Sequence, residues 1–178
     1  MNIVTLNRLD RAHKQVVTEL YSLGFYDTLV ANVKVLLVPV SLAYGWQNYR
    51  SGGEIGIPIL SGSKLVDFFT DRYTALRDIL RHEYAHAIAD THRGLMRSRK
   101  FSIAFGASHD SEIRFEFDPQ KYLTPYAATS PAEDFAETFR FYVRHKGILP
   151  ARKRTPALRK KYYFIHRLAR AISRGGGI

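Results

Sequence analysis

The chain has 178 residues, 46% of them hydrophobic, and no cysteine. That length and apolar content suit one compact domain and exclude a disordered chain, while the lack of cysteine excludes a disulfide framework and a thiolate metal site, so any zinc must be held by histidine and carboxylate. The net charge of +11 is uneven: residues 138–178 hold 12 of the 27 basic side chains and no acidic one, whereas residues 1–137 carry the other 15 against all 16 acidic ones, a net of −1.

In chain order, residues 7–23 place Leu9, Val16, Val17 and Leu20 near one face and read as an amphipathic helix ending at Gly24. Residues 33–40 are rich in valine and leucine and predict a buried strand. Residues 44–50 and 54–60, joined through Ser51, Gly52 and Gly53, predict a hairpin. Pro58 favours a sheet edge for the later strand, which either aligns an extended peptide or is an edge merely blunted by the proline. The central helix is expected to start near Thr70 or Asp71 and run to Arg93, with Gly94 as a left-handed terminator. Residues 96–125 lose periodicity and predict a loop-rich wall with a possible strand at 113–117. Ser130 and Pro131 open a further helix, and Thr155 and Pro156 open the last one. That last helix sets Leu158, Tyr162, Ile165, Leu168, Ala169 and Ile172 against Arg159, Lys160, Lys161, Arg167 and Arg170. The most apolar run, 33–43, is too short to span a bilayer, and no cleavable signal is evident at the N-terminus. The expected location is cytoplasmic, or exported without a cleaved signal peptide.

The central helix carries His82, Glu83, Tyr84, Ala85 and His86, an HExxH motif. Residues four apart on a helix lie one above the other, so His82 and His86 can offer two imidazoles to one metal ion with Glu83 beside them. Asp90 reads as an exposed charge near the helix end rather than a partner of His86, and His92 reads as surface because it breaks the motif spacing. His109, on a loop, reads as incidental.

A third protein ligand is needed if a position is to stay open for water. Glu133 is a candidate, although at the third position of its helix it is equally suited to close a capping box with Ser130. Glu137, one turn further on, can accept the ring N–H of a ligating histidine.

The two blocks together, His82 to His86 and Tyr126 to Phe139, resemble the gluzincin metallopeptidases, in particular the branch typified by the anthrax lethal factor catalytic domain and the minimal, single-domain zinc-binding metallopeptidases of bacteria. The resemblance implies an α+β fold: a single zincin-like domain over 1–178, with a small mixed sheet whose edge strand lies over a cleft. It places the HExxH helix in an N-terminal α/β part to about residue 95 and a helical part from about 96 to 178. It further implies Zn2+ held by His82, His86 and Glu133, Glu83 as general base, Tyr126 as donor to the oxyanion and Glu137 orienting a ligand histidine. The implied activity is zinc-dependent endopeptidase cleavage of a peptide or protein substrate. Ala85 departs from the glycine many relatives carry there.

The basic residues 138–178 point separately to an acidic partner or nucleic acid, with a solvated face as the plain alternative. Two other functions therefore stand beside a peptidase. One is a basic binding module with a structural zinc site; the other is a protease acting on a nucleic-acid-associated regulator.

Overall fold

Helices carry most of the chain, and side-chain caps decide where several of them begin. The structure, a computed structural model, describes residues 2–39, 45–49, 52–61 and 76–175. Helix α1 (Leu6–Leu23) starts where Thr5 accepts the Arg8 N–H and stops at Gly24, whose φ of 82° is the left-handed conformation glycine adopts without strain. A short α2 (Thr28–Ala31) is capped by Asp27. Then come α3 (Leu76–Thr91), α4 (Arg93–Met96) and α5 (Arg99–Phe105). Helices α6 (Pro131–Arg144) and α7 (Pro156–Ser173) have Ser130 and Thr155 as caps and proline in the first turn.

The strands are β1 (Asn2–Ile3), β2 (Lys34–Val38), β3 (Gly45–Tyr49), β4 (Gly52–Pro58) and β5 (Leu60–Ser61). β1 pairs with β5, and the larger sheet has the order β2-β4-β3, parallel between β2 and β4 and antiparallel between β3 and β4. The chain is thus a mixed α+β fold, mainly helical, with a three-stranded mixed sheet. Its main core draws on Leu9, Val16 and Leu20 of α1, Ile55 and Ile57 of β4, Leu80, Tyr84 and Ile88 of α3, Phe135 and Phe139 of α6, and Ile165 and Leu168 of α7. Helix α3 touches α1, α6 and β3 at once, so the motif it carries is held from several sides.

Four expectations change. The strand containing Pro58 is central, not an edge. Pro58 occupies its last position, and the Ile59 N–H donates to Val38, so the missing N–H of Pro58 faces away from β2 and beyond the Gly45–Gly56 pair where the described β3 begins. Residues 113–117 form no strand; the Phe115 N–H goes instead to the Ala128 carbonyl, in the turn before α6. The stretch after residue 96 instead contains α5, capped by Ser98 and closed by Gly106 at φ 87°. Gly94 does not terminate α3, which ends at Thr91, but lies inside α4. The expected helix start near Thr70 or Asp71 falls outside the described residues.

Lys161 also departs from the expected exposed face. It is buried, bonded through Nζ to Asp134 of α6 and to the Lys121 carbonyl. Burial pushes the Asp134 carboxyl up to about 6 against the pull of Lys161, a sign that the pair is poorly solvated. Lys161→Met, which strands a buried carboxylate, should cost about 3–5 kcal/mol, whereas Asp134→Leu with Lys161→Met should be near neutral or stabilising. Urea unfolding of both variants checks this; equal losses would contradict it.

Candidate metal centre

On α3 the Nε2 atoms of His82 and His86 lie 3.2 Å apart. Glu133 enters from the first turn of α6, with Oε2 3.2 Å from His82 Nε2 and 3.6 Å from His86 Nε2. A tetrahedral ion with bonds of about 2.0–2.1 Å separates its ligand atoms by about 3.3 Å, so the three donors have the spacing that such an ion requires. Glu133 Oε2 is buried and faces the two imidazole Nε2 atoms, as expected of an atom turned to a cation site. Glu133 serves its helix as well: its backbone N–H donates to Ser130 Oγ while its carboxylate turns to the histidines. Among the described residues, these three form the group able to hold a metal ion.

Glu137 is fully buried one turn along α6. Its Oε1 lies 3.0 Å from His82 Nδ1, and its Oε2 accepts from Thr124 Oγ1 and Arg140 Nη2, both at 2.9 Å. A proton on Nδ1 shared with Glu137 leaves the Nε2 lone pair of His82 facing Glu133 and His86.

The electrostatics of the pocket are those of a carboxylate-rich, buried site. Burial alone would lower the pKa of His82, but Glu133, Glu137 and the charge of Glu83 outweigh it and raise the value to about 9. Burial pushes the Glu133 and Glu137 carboxyls up, yet the facing imidazoles, with Arg140 beside Glu137, bring both below the ordinary range. Because the folded value of His82 exceeds the ordinary 6.5, its stabilising contribution is complete below pH 6.5 and is lost as pH rises through about 9. A metal ion such as zinc held by the three donors would compete with that proton, and the stabilisation it conferred would grow over the same interval. Melting of chelator-treated and zinc-loaded protein between pH 6 and 9.5 checks both trends; a flat curve for the chelated protein would contradict them.

Glu83 is buried and its carboxyl is raised, mainly by burial, against the lowering influence of His82, His86 and a backbone hydrogen bond. That bond comes from the edge strand: the Trp46 N–H donates to Glu83 Oε2 at 2.8 Å. The Trp46 indole N–H donates to Asp90 Oδ2 at 2.6 Å, so β3 is fastened to α3 at two points two turns apart. The indole lies so close over Gly53 of β4 that a Cβ there would overlap it at 1.9 Å. While the indole keeps that place, position 53 has no room for a side chain.

Tyr126 lies in a 3-10 turn just before α6, its ring centroid 5.9 Å from that of His82. His109 packs on Phe101 and Phe135, and burial lowers its pKa against the opposing hydrogen bond with Asp110. His92 is not simply surface: its Nε2 lies 3.0 Å from Asp27 Oδ2, tying the end of α3 to α2. Asp90 holds Trp46 and is braced by Arg93.

The structure thus brings His82, His86, Glu133, Glu137, Glu83 and Tyr126 to one place. Sequence reasoning did not find the Trp46 N–H, Thr124 or Arg140. Arg140 stands three residues after Glu137 on one helix and was open to discovery by that spacing; the main-chain donor on β3 had no local signal. Comparison of the chain with models of known families, with curated proteins and with solved structures finds no match, and the assignment of this site rests on its own geometry.

Proposed function

We propose that the chain is a zinc-dependent endopeptidase of the gluzincin type with a zincin-like arrangement of helix and edge strand. The observation that carries the proposal is the tetrahedral spacing of His82 Nε2, His86 Nε2 and Glu133 Oε2 beside a buried carboxylate. These donors fit Zn2+, which would supply Lewis-acid polarisation of a carbonyl and an acidified water.

The remaining work falls to the chain. Glu83, its proton affinity raised by burial, takes the proton of the attacking water and delivers it to the leaving amine. The Trp46 N–H fixes one carboxylate oxygen and leaves the other for that exchange. Tyr126 is assigned to the developing oxyanion, and Glu137 fixes the ring orientation of His82. The peptide-aligning role passes to β3, an outer strand of its sheet whose backbone contacts the base. The test is digestion of a mixed peptide library by zinc-loaded protein, with new termini read by mass spectrometry. Cleavage that disappears on chelation and returns with zinc is the expected result; none under any metal loading would overturn the proposal.

A further inference from the structure

Two groups stand out among the 12 basic residues of the C-terminal region. Arg140 and Lys161 are buried and paired with Glu137 and Asp134, and Arg144, although exposed, pairs with the buried Asp78. Arg159, Lys160, Arg167, Arg170 and Arg174, by contrast, are exposed, and among the described residues none is in a salt bridge. From Arg159 to Arg170 they follow the outer face of α7 at helical spacing, with Arg174 at its C-cap and no acidic residue among them.

Two details sharpen what this face can hold. Tyr163 lies in the middle of it, its ring 62% exposed with the Arg167 guanidinium 6.0 Å from the centroid. Its phenol is pulled down chiefly by Arg167, with smaller contributions from the charges of Lys100 and Arg170. At the far end the face opens into a recess of about 330 Å3 lined by Ser22, Tyr142, Lys146, His166, Arg170 and Ser173, again without a carboxylate.

We infer that the outer face of α7 binds single-stranded nucleic acid, with phosphates running along Arg159, Lys160, Arg167 and Arg170, a base stacked on Tyr163, and a terminal phosphate entering the Lys146–Arg170 recess. A row of uncompensated cations around an exposed aromatic ring supplies the two contacts such a strand needs, one to its backbone and one to a base. A membrane-binding helix would keep its apolar side chains at the surface, whereas Leu158, Ile165, Leu168 and Ile172 of α7 are all buried. An acidic protein would be expected to seat a cluster of apolar anchors, whereas among the described residues the outer face of α7 carries Tyr163 as its exposed large apolar side chain, with Ile148 at the recess. The inference is independent of the metal site.

The test uses the full chain and a fluorescein-labelled, mixed-sequence 20-nucleotide DNA strand, with binding read by anisotropy. Five phosphate contacts predict an affinity loss of about 100-fold between 50 and 200 mM KCl. The combined Arg159→Ala, Lys160→Ala, Arg167→Ala and Arg170→Ala protein should keep its melting temperature and lose most of that salt dependence along with tight binding. Tyr163→Ala should weaken binding by about 5- to 100-fold with the salt slope unchanged, and Tyr163→Phe should restore it. Chelation of metal should leave the affinity as it was. Unchanged binding by the four-site variant would overturn the inference, as would tighter binding to phosphatidylserine vesicles or polyglutamate than to the oligonucleotide.

Discussion

Glu83→Gln protein is expected to bind zinc as the unaltered chain does and to hydrolyse the peptides of the library about 10²–10⁴-fold more slowly. The substitution preserves shape, and the amide carbonyl of glutamine can still accept the Trp46 N–H. What it removes is the ability to take a proton. Because Glu83 is not among the three converging ligand atoms, metal titration should give the same stoichiometry and affinity. A Glu83→Gln protein of full activity would sink the assignment of Glu83 as base. Loss of zinc with loss of activity would instead mean that the variant had disturbed the helix.

The second large effect separates two glutamates one turn apart. Glu133→Gln removes a charged ligand from a buried group but leaves the Ser130 cap intact, because the cap is made to the backbone N–H. Zinc affinity should fall by more than the roughly 10–100-fold expected for an outer partner, while the chelator-treated protein stays folded. Glu137→Gln should cost about that 10–100-fold in affinity and, in addition, a clear loss of stability, since it removes the buried carboxylate that pairs with Arg140 and faces His82. Parallel zinc titration and urea unfolding of the two variants distinguish the roles. If Glu133 only capped α6, its variant would bind zinc normally.

The parts of this arrangement that were legible in sequence are those encoded within one helix. Spacing of four puts His82 over His86 whatever the rest of the chain does, and Ser130–Pro131 and Thr155–Pro156 set α6 and α7 by local hydrogen bonding and a fixed proline φ. Helix α5 carried the same kind of signal in Ser98 and Gly106, but its short length gave too little periodicity to stand out. Strand order was not legible. Pro58 identifies a position without a donor, and whether that position lies in a central or outer strand depends on pairings made elsewhere. Lys161 was misplaced for a related reason: it borders the buried stripe of α7, and its partner Asp134 belongs to another helix. The contact between β3 and Glu83 was invisible because its donor is a backbone N–H, which every residue but proline carries.

That last property has a consequence for how such a site drifts over time. The hydrogen bond to Glu83 survives nearly any replacement of Trp46, whereas the indole itself demands an empty position at Gly53 and an acceptor at Asp90. A lineage that lost the tryptophan would release both constraints together. Positions 46, 53 and 90 would then be free to change together, and Glu83 would keep its backbone partner throughout.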